Sequence, residues 1–113
     1  MSRRFVDGST FLATLDADDP GHAQAAASWI AALEGTEGPV TSNYVVVEAC
    51  SEIQRRLGLA ALRVFVEDLL PVVEVRMVTA EQHAAALLAL TTARREGLTL
   101  VDCTSALLMR GLD

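Results

Sequence analysis

Asp7, Glu48 and Asp102 each stand in an otherwise apolar segment: Arg4-Phe5-Val6-Asp7-Gly8-Ser9, Val45-Val46-Val47-Glu48-Ala49-Cys50 and Leu100-Val101-Asp102-Cys103-Thr104-Ser105. An ionised carboxylate in a core is costly unless it is paired, hydrogen-bonded or bound to a metal. Taken singly, Asp7 reads as a strand-end cap, Asp102 as a helix N-cap and Glu48 as a helix-surface acid. Spread over the whole chain, the set points instead to a shared acidic pocket. Carboxylates that converge without histidine partners suit hard, oxygen-ligated cations, Mg2+ or Mn2+. Such ions activate water and stabilise the charge of an in-line phosphoryl displacement. Ser9 and Thr104 follow their acids by two residues at helix starts, where a hydroxyl can orient a carboxylate or bind a metal water. Glu52, one turn beyond Glu48, offers a fourth carboxylate, although Arg55 and Arg56 at i+3 and i+4 make a surface ion pair the simpler reading. Arg55, Arg56, Arg63, Arg94 and Arg95 read either as solvated helix ends or as contacts to a phosphate backbone. His22 and His83 have neither metal-site nor triad spacing and read as surface residues.

The elements that must carry these residues follow from turn and cap signals. Residues 3–7 form a short strand ending at Asp7, and Gly8-Ser9 turns into a helix from Thr10 to Leu15. Asp16-Ala17-Asp18-Asp19-Pro20 is a loop, with Asp19 as N-cap and Pro20 at the first position of a helix that runs to about Leu33. Ala26, Trp29, Ile30 and Leu33 share one face of that helix, which reads as core or as a groove for a partner helix. Pro39-Val40-Thr41 is a second strand. Asn43 caps a third helix carrying Tyr44, Val47, Ile53 and Leu57, and Gly58 closes it. A fourth helix, Leu59 to Leu70, is stopped by Pro71, and residues 72–78 read as a strand. Thr79-Ala80-Glu81-Gln82 is a capping box opening a helix to Glu96. Leu98 to Val101 is loop, and Asp102 caps a last helix that ends before Gly111. Strands alternating with helices imply an α/β fold with a parallel sheet, in which ligands bind outside the carboxyl ends of the strands. All three acids fall on that side.

A length of 113 residues bounds this to one domain, 1–113. Aromatics are 4% of a chain that is 51% hydrophobic, so the core is expected to be aliphatic. A net charge of −6 argues against broad adhesion to nucleic acid or to an anionic membrane, though not against local positive charge. All nine basic residues are arginine, which removes any mechanism that needs a lysine. Cys50 and Cys103 have apolar neighbours and no ligand spacing, and they read as buried reduced thiols. No apolar run approaches the roughly 20 residues of a membrane span. With no apolar signal region at the start, a soluble, cytoplasmic protein is expected.

These contexts resemble the PIN-domain ribonucleases, in particular the VapC-like toxins of bacterial toxin–antitoxin pairs. Phe5-Val6-Asp7-Gly8-Ser9, with Phe11-Leu12-Ala13 and Asp18-Asp19-Pro20-Gly21-His22, is similar to the family's first motif. Thr41-Ser42-Asn43-Tyr44-Val45-Val46-Val47-Glu48 resembles the second, and the segment from Leu98 to Arg110 resembles the third and most specific. The resemblance covers essentially the whole chain in order and spacing. It implies a three-layer PIN-like domain and an Mg2+- or Mn2+-dependent endoribonuclease that cuts single-stranded RNA. It also implies Asp7, Glu48 and Asp102 as metal ligands, Ser9 and Thr104 as supporting hydroxyls, a homodimer, and inhibition by a small cognate antitoxin. The family pattern continues past the last helix into a strand that ends on a fourth acidic residue, whereas this sequence stops at Gly111-Leu112-Asp113. The C-terminal strand is therefore expected to be missing. Asp113 is a poor substitute for the acid, since about 1.5 Å per helical residue places it roughly 16 Å from Asp102. A PIN-like scaffold that binds RNA or a protein partner without cutting is the alternative reading. Aspartyl-phosphate chemistry at Asp7 fits poorly, because it needs a lysine and a second aspartate where Ser9 stands.

Overall fold

Residues 4–112 are described in a computed structural model of the chain. Three short strands, β1 (Arg4–Phe5), β2 (Pro39–Ser42) and β3 (Glu74–Arg76), lie in the order β1-β2-β3 and run parallel. Val40 on β2 is paired with Phe5 on one side and Glu74 on the other, and all of β2 is buried. Parallel neighbours need crossover connections. Between β1 and β2 these are α1 (Gly8–Leu15) and α2 (His22–Glu34); between β2 and β3 they are α3 (Asn43–Leu57) and α4 (Leu59–Val64). After β3, α5 (Ala80–Ala93) and α6 (Leu100–Leu112) pack on each other, and α6 also packs on α3. This is the α/β arrangement the sequence predicts, a short parallel sheet flanked by helices. No strand follows α6 among the described residues, and Asp113 lies outside them.

The core is less aliphatic than composition implies. Val6, Leu12, Val45, Ala49, Ile53 and Val73 surround two fully buried rings, Phe11 and Phe65. Phe11 meets Phe65 edge-on at 5.0 Å and Trp29 at 6.1 Å, the geometry that aromatic quadrupoles favour. Few aromatic residues are present, and three of them are spent in one stack that joins α1, α2 and the turn after α4. The face expected of α2 is only partly right. Trp29 packs on the core, but Ile30 and Leu33 are exposed and the buried positions are Ala25 and Ala32.

Caps explain most shifts in element boundaries. Asp19 does not cap α2; its Oδ1 accepts from Gly21 N at 2.7 Å in a tight turn, and the helix begins only at His22. Ser42, not Asn43, caps α3, its hydroxyl accepting from Val45 N at 3.1 Å. Asn43 is used over a longer range: its Oδ1 accepts from Val78 N at 2.8 Å. Gly58 ends α3 as expected, at φ 94°, where a side chain would be strained. The fourth helix loosens after Val64 into a π-helical turn, Phe65–Leu69, and a 3-10 turn containing Pro71. The Thr79–Gln82 capping box opens α5 as predicted, but the helix stops at Ala93 with Arg94 left-handed at φ 51°. The helix α6 starts at Leu100 and runs past Gly111, so Asp102 lies in its first turn rather than before it. Neither histidine is a free surface group. His22 Nδ1 donates to the Ala13 carbonyl at 2.8 Å, and His83 is hydrogen-bonded to the Tyr44 hydroxyl.

Candidate active site

Asp7, Glu48 and Asp102 reach one pocket of about 270 Å3, whose walls include Phe5, Val45, Val101, Ser105 and Met109. Each acid arrives on a different element. Asp7 follows β1 and caps α1, Glu48 lies in the second turn of α3, and Asp102 lies in the first turn of α6. None is buried in the core: all three are exposed at the rim of a buried frame. The apolar neighbours that mark them in sequence are the frame, not their surroundings.

Asp7 is held on one oxygen. Ser9 Oγ at 2.8 Å, Thr10 N at 2.9 Å and Thr10 Oγ1 at 2.9 Å all donate to Oδ1. Burial raises the proton affinity of this carboxyl, but the bonds from Thr10 and Ser9 outweigh it and hold its pKa below the ordinary value. Thr10 escaped the motif reading, although its place three residues after an N-cap is the signal for such a contact. Asp102 is also half committed: Oδ2 accepts from Thr99 N at 3.0 Å while Thr99 Oγ1 accepts from Asp102 N at 3.1 Å. This reciprocal pair is a capping box with aspartate in place of glutamate. Each aspartate therefore spends one oxygen on a helix cap, and the other accepts no hydrogen bond among the described residues. Both also sit at helix N-termini, where the backbone dipoles favour negative charge.

Glu48 is placed differently. It accepts no hydrogen bond among the described residues, and its Oε1 lies only 3.5 Å from where a Cβ on Gly8 would stand. A Cβ there would make only ordinary van der Waals contact, so Glu48 lies beside the start of α1 without depending on the glycine. Partial burial, then the negative charges of Asp102, Glu52 and Asp7, push the Glu48 pKa above its ordinary value. Glu48 thus senses the other two acids electrostatically, in a pocket with no cation among its lining residues.

The other expected residues are distributed unevenly. Ser9 lines the pocket. Thr104 is fully buried, its hydroxyl donating to the Val101 carbonyl at 2.9 Å, and Ser105 rather than Thr104 reaches the pocket wall. Arg55 is paired with Glu52 at 2.8 Å, so that glutamate acts as the surface partner. Arg56 lines a neighbouring cavity together with Gly8, Ser9, Glu48 and Glu52. Arg94 and Arg95 are exposed on the turn that leads from α5 to α6.

The donor set is compatible with a hard divalent ion, since it is all oxygen and includes an uncommitted atom on each aspartate. Among the described residues no three His, Cys, Asp or Glu side chains form a ready-made ligand shell.

The PIN-domain family model matches residues 4–113. The chain belongs to the PIN-domain family. Among solved structures, this PIN domain is similar to VapC20 of Mycobacterium tuberculosis, a toxin that cleaves the sarcin–ricin loop. The two are 31% identical with a TM-score of 0.82, over 95% of this chain and 81% of that one. No curated protein matches. The likeness to VapC20 makes this a VapC-like PIN domain, as the ordered motifs imply. No helix among the described residues is long and apolar enough to cross a membrane.

Proposed function

We propose that this PIN domain is a metal-dependent endoribonuclease that hydrolyses phosphodiester bonds in single-stranded RNA, as the toxin of a toxin–antitoxin pair. The observation that carries the reading is the meeting of Asp7, Glu48 and Asp102, from three separate elements, in one pocket. The family match and the likeness to VapC20, a sarcin–ricin-loop-cleaving toxin, support it. Asp7 and Asp102 would hold Mg2+ or Mn2+ through the oxygens their caps leave free, with Glu48 as the third ligand. When bound, such an ion supplies charge neutralisation at a phosphoryl group and lowers the pKa of a coordinated water. Ser9 and Thr10 fix the Asp7 carboxylate in its ionised form. Thr99 does the orienting for Asp102, and Thr104 supports α6 from within, through its bond to Val101.

A cytoplasmic homodimer neutralised by a small cognate antitoxin completes the reading. The test is cleavage of single-stranded RNA by the purified chain, followed with Mg2+, Mn2+ or chelator. Cleavage is expected with either metal, and Asp7→Asn or Asp102→Asn should each lower the rate by roughly a hundredfold or more. Undiminished cleavage in chelator would sink the proposal. RNA binding without any cutting would leave the scaffold reading in its place.

A further inference from the structure

The acidic pocket opens into two more cavities. A cavity of about 190 Å3 shares Gly8, Ser9 and Glu48 with it. A larger one of about 370 Å3, between α1, the Asp19 turn and α2, shares Ser9, Leu12 and Arg56 with the second. Ser9 lines all three, so the cavities adjoin one another and together make a trough that leads away from the acids through shared walls. The chemistry changes along it. At one end stand the three carboxylates; at the junction stands Arg56; at the far end Gln24, Ser28, Thr10 and Asp19, whose Oδ1 is held by Gly21 N, line the cavity with Leu12, Ala13 and Ala25.

Arg56 is the telling residue. Arg55 beside it is tied to Glu52, whereas Arg56 has no hydrogen-bond or ion-pair partner among the described residues. An unpaired guanidinium beside a cluster of acids, on a chain with net charge −6, suits an anion that passes close to the acidic pocket. Beyond it, an amide and a hydroxyl can each both donate and accept, which is what reading a base edge requires. No aromatic ring lines the far cavity, so recognition there works through edges and not through stacking.

We infer that this trough is a subsite for the nucleotide next to the scissile one, with Arg56 on its phosphate and Gln24 and Ser28 reading its base. Gln24 and Ser28 are thereby specificity-determining residues. The chemistry of the ligand rests on the ribonuclease reading, but its test does not require cutting.

The test is binding of fluorescent oligo-A, oligo-C and oligo-U by the full chain carrying Asp7→Asn, so that nothing is cleaved. The three affinities should differ by about fivefold or more, and adding Gln24→Ala with Ser28→Ala should shrink that spread to under about twofold. Arg56→Ala should weaken all three about fivefold and reduce the log–log salt slope by about 0.7, one lost phosphate contact on a single strand. Arg76→Ala, which removes the same charge at an ion pair on β3, should leave affinity within about twofold. Retained base preference in the double variant would overturn the inference, as would equal losses in the Arg56 and Arg76 variants. Failure of all three oligonucleotides to bind would also overturn it and would assign the trough to a polypeptide partner. The ribonuclease reading fails on a separate result, intact RNA after incubation of the wild-type chain with Mn2+.

Discussion

Asp7 and Glu48 share a pocket but respond oppositely to their surroundings, and the difference can be measured. Asp7 has a lowered pKa in the fold. Its contribution to stability is therefore complete above the ordinary carboxylate range and is lost as pH falls through the lowered value. Ser9→Ala removes one of the donors on Oδ1, so the Asp7 pKa should move up and the acid limb of the cleavage profile should shift to higher pH. Mn2+ affinity should fall about tenfold, as for other residues that orient a ligand. A pH–rate profile unchanged from wild type would show that Ser9 does not hold this carboxylate. Glu48 has a raised pKa, so its ionisation in the fold is disfavoured and stability falls as pH rises through the raised value. Glu48→Gln should therefore increase the melting temperature of the metal-free protein at neutral pH while abolishing cleavage. Exposed like-charge terms amount to a few tenths of a kcal/mol, or about 2 °C for a chain of this size. Calorimetry at pH 7 and at pH 4 checks the sign, since the gain should vanish once the glutamate is protonated.

At the scale of elements, the stack of Phe11, Phe65 and Trp29 fastens α1 to the rest of the frame and so keeps Asp7 near the other acids. Both phenylalanines are fully buried, and Phe11→Ala should cost about 3–5 kcal/mol. That is a large share of the roughly 5–15 kcal/mol of a typical domain. Urea titration by circular dichroism should show a markedly lower midpoint, or no folded baseline. An unchanged midpoint would mean that the stack is incidental. This stack also marks the limit of what was legible in the sequence. The types and order of elements, the Gly58 stop and the Thr79–Gln82 box follow from local rules and hold in the structure. The convergence of Asp7, Glu48 and Asp102 was legible too, because parallel-sheet topology gathers strand ends. What local rules missed was decided by contacts distant in sequence. Asn43 looked like a cap because Asn commonly is one, yet it serves Val78 on another element. Ile30 and Leu33 looked like core by period, but α2 turns its small alanines inward beside Trp29. Thr104 differs, being decided within its own helix: its hydroxyl bonds the Val101 carbonyl three residues back, and Ser105 meets the pocket instead.

For the molecule as a whole, Glu48 is the destabilising charge of the acidic centre until a cation balances it. The net charge is −6, and the lining of the acidic pocket contains no cation. A ligand that binds the folded state alone adds RT ln(1 + [L]/Kd) to its stability, about 2.7 kcal/mol at a hundred times Kd. For a chain of this length that corresponds to an increase of about 10 °C in melting temperature. Saturating Mn2+ should therefore raise the wild-type melting temperature by several degrees to about that amount. The rise should be largely absent in Asp7→Asn and in Asp102→Asn, each of which removes one ligand charge while its amide oxygen can still cap its helix. The Glu48→Gln variant should start from a higher metal-free value and gain less, because its lost charge was both a source of repulsion and a ligand. A melting temperature that rises equally in wild type and in both aspartate variants would mean that Mn2+ binds elsewhere on the acidic surface. This readout requires neither RNA nor cleavage, so it tests whether the three carboxylates form a metal site independently of whether that site cuts.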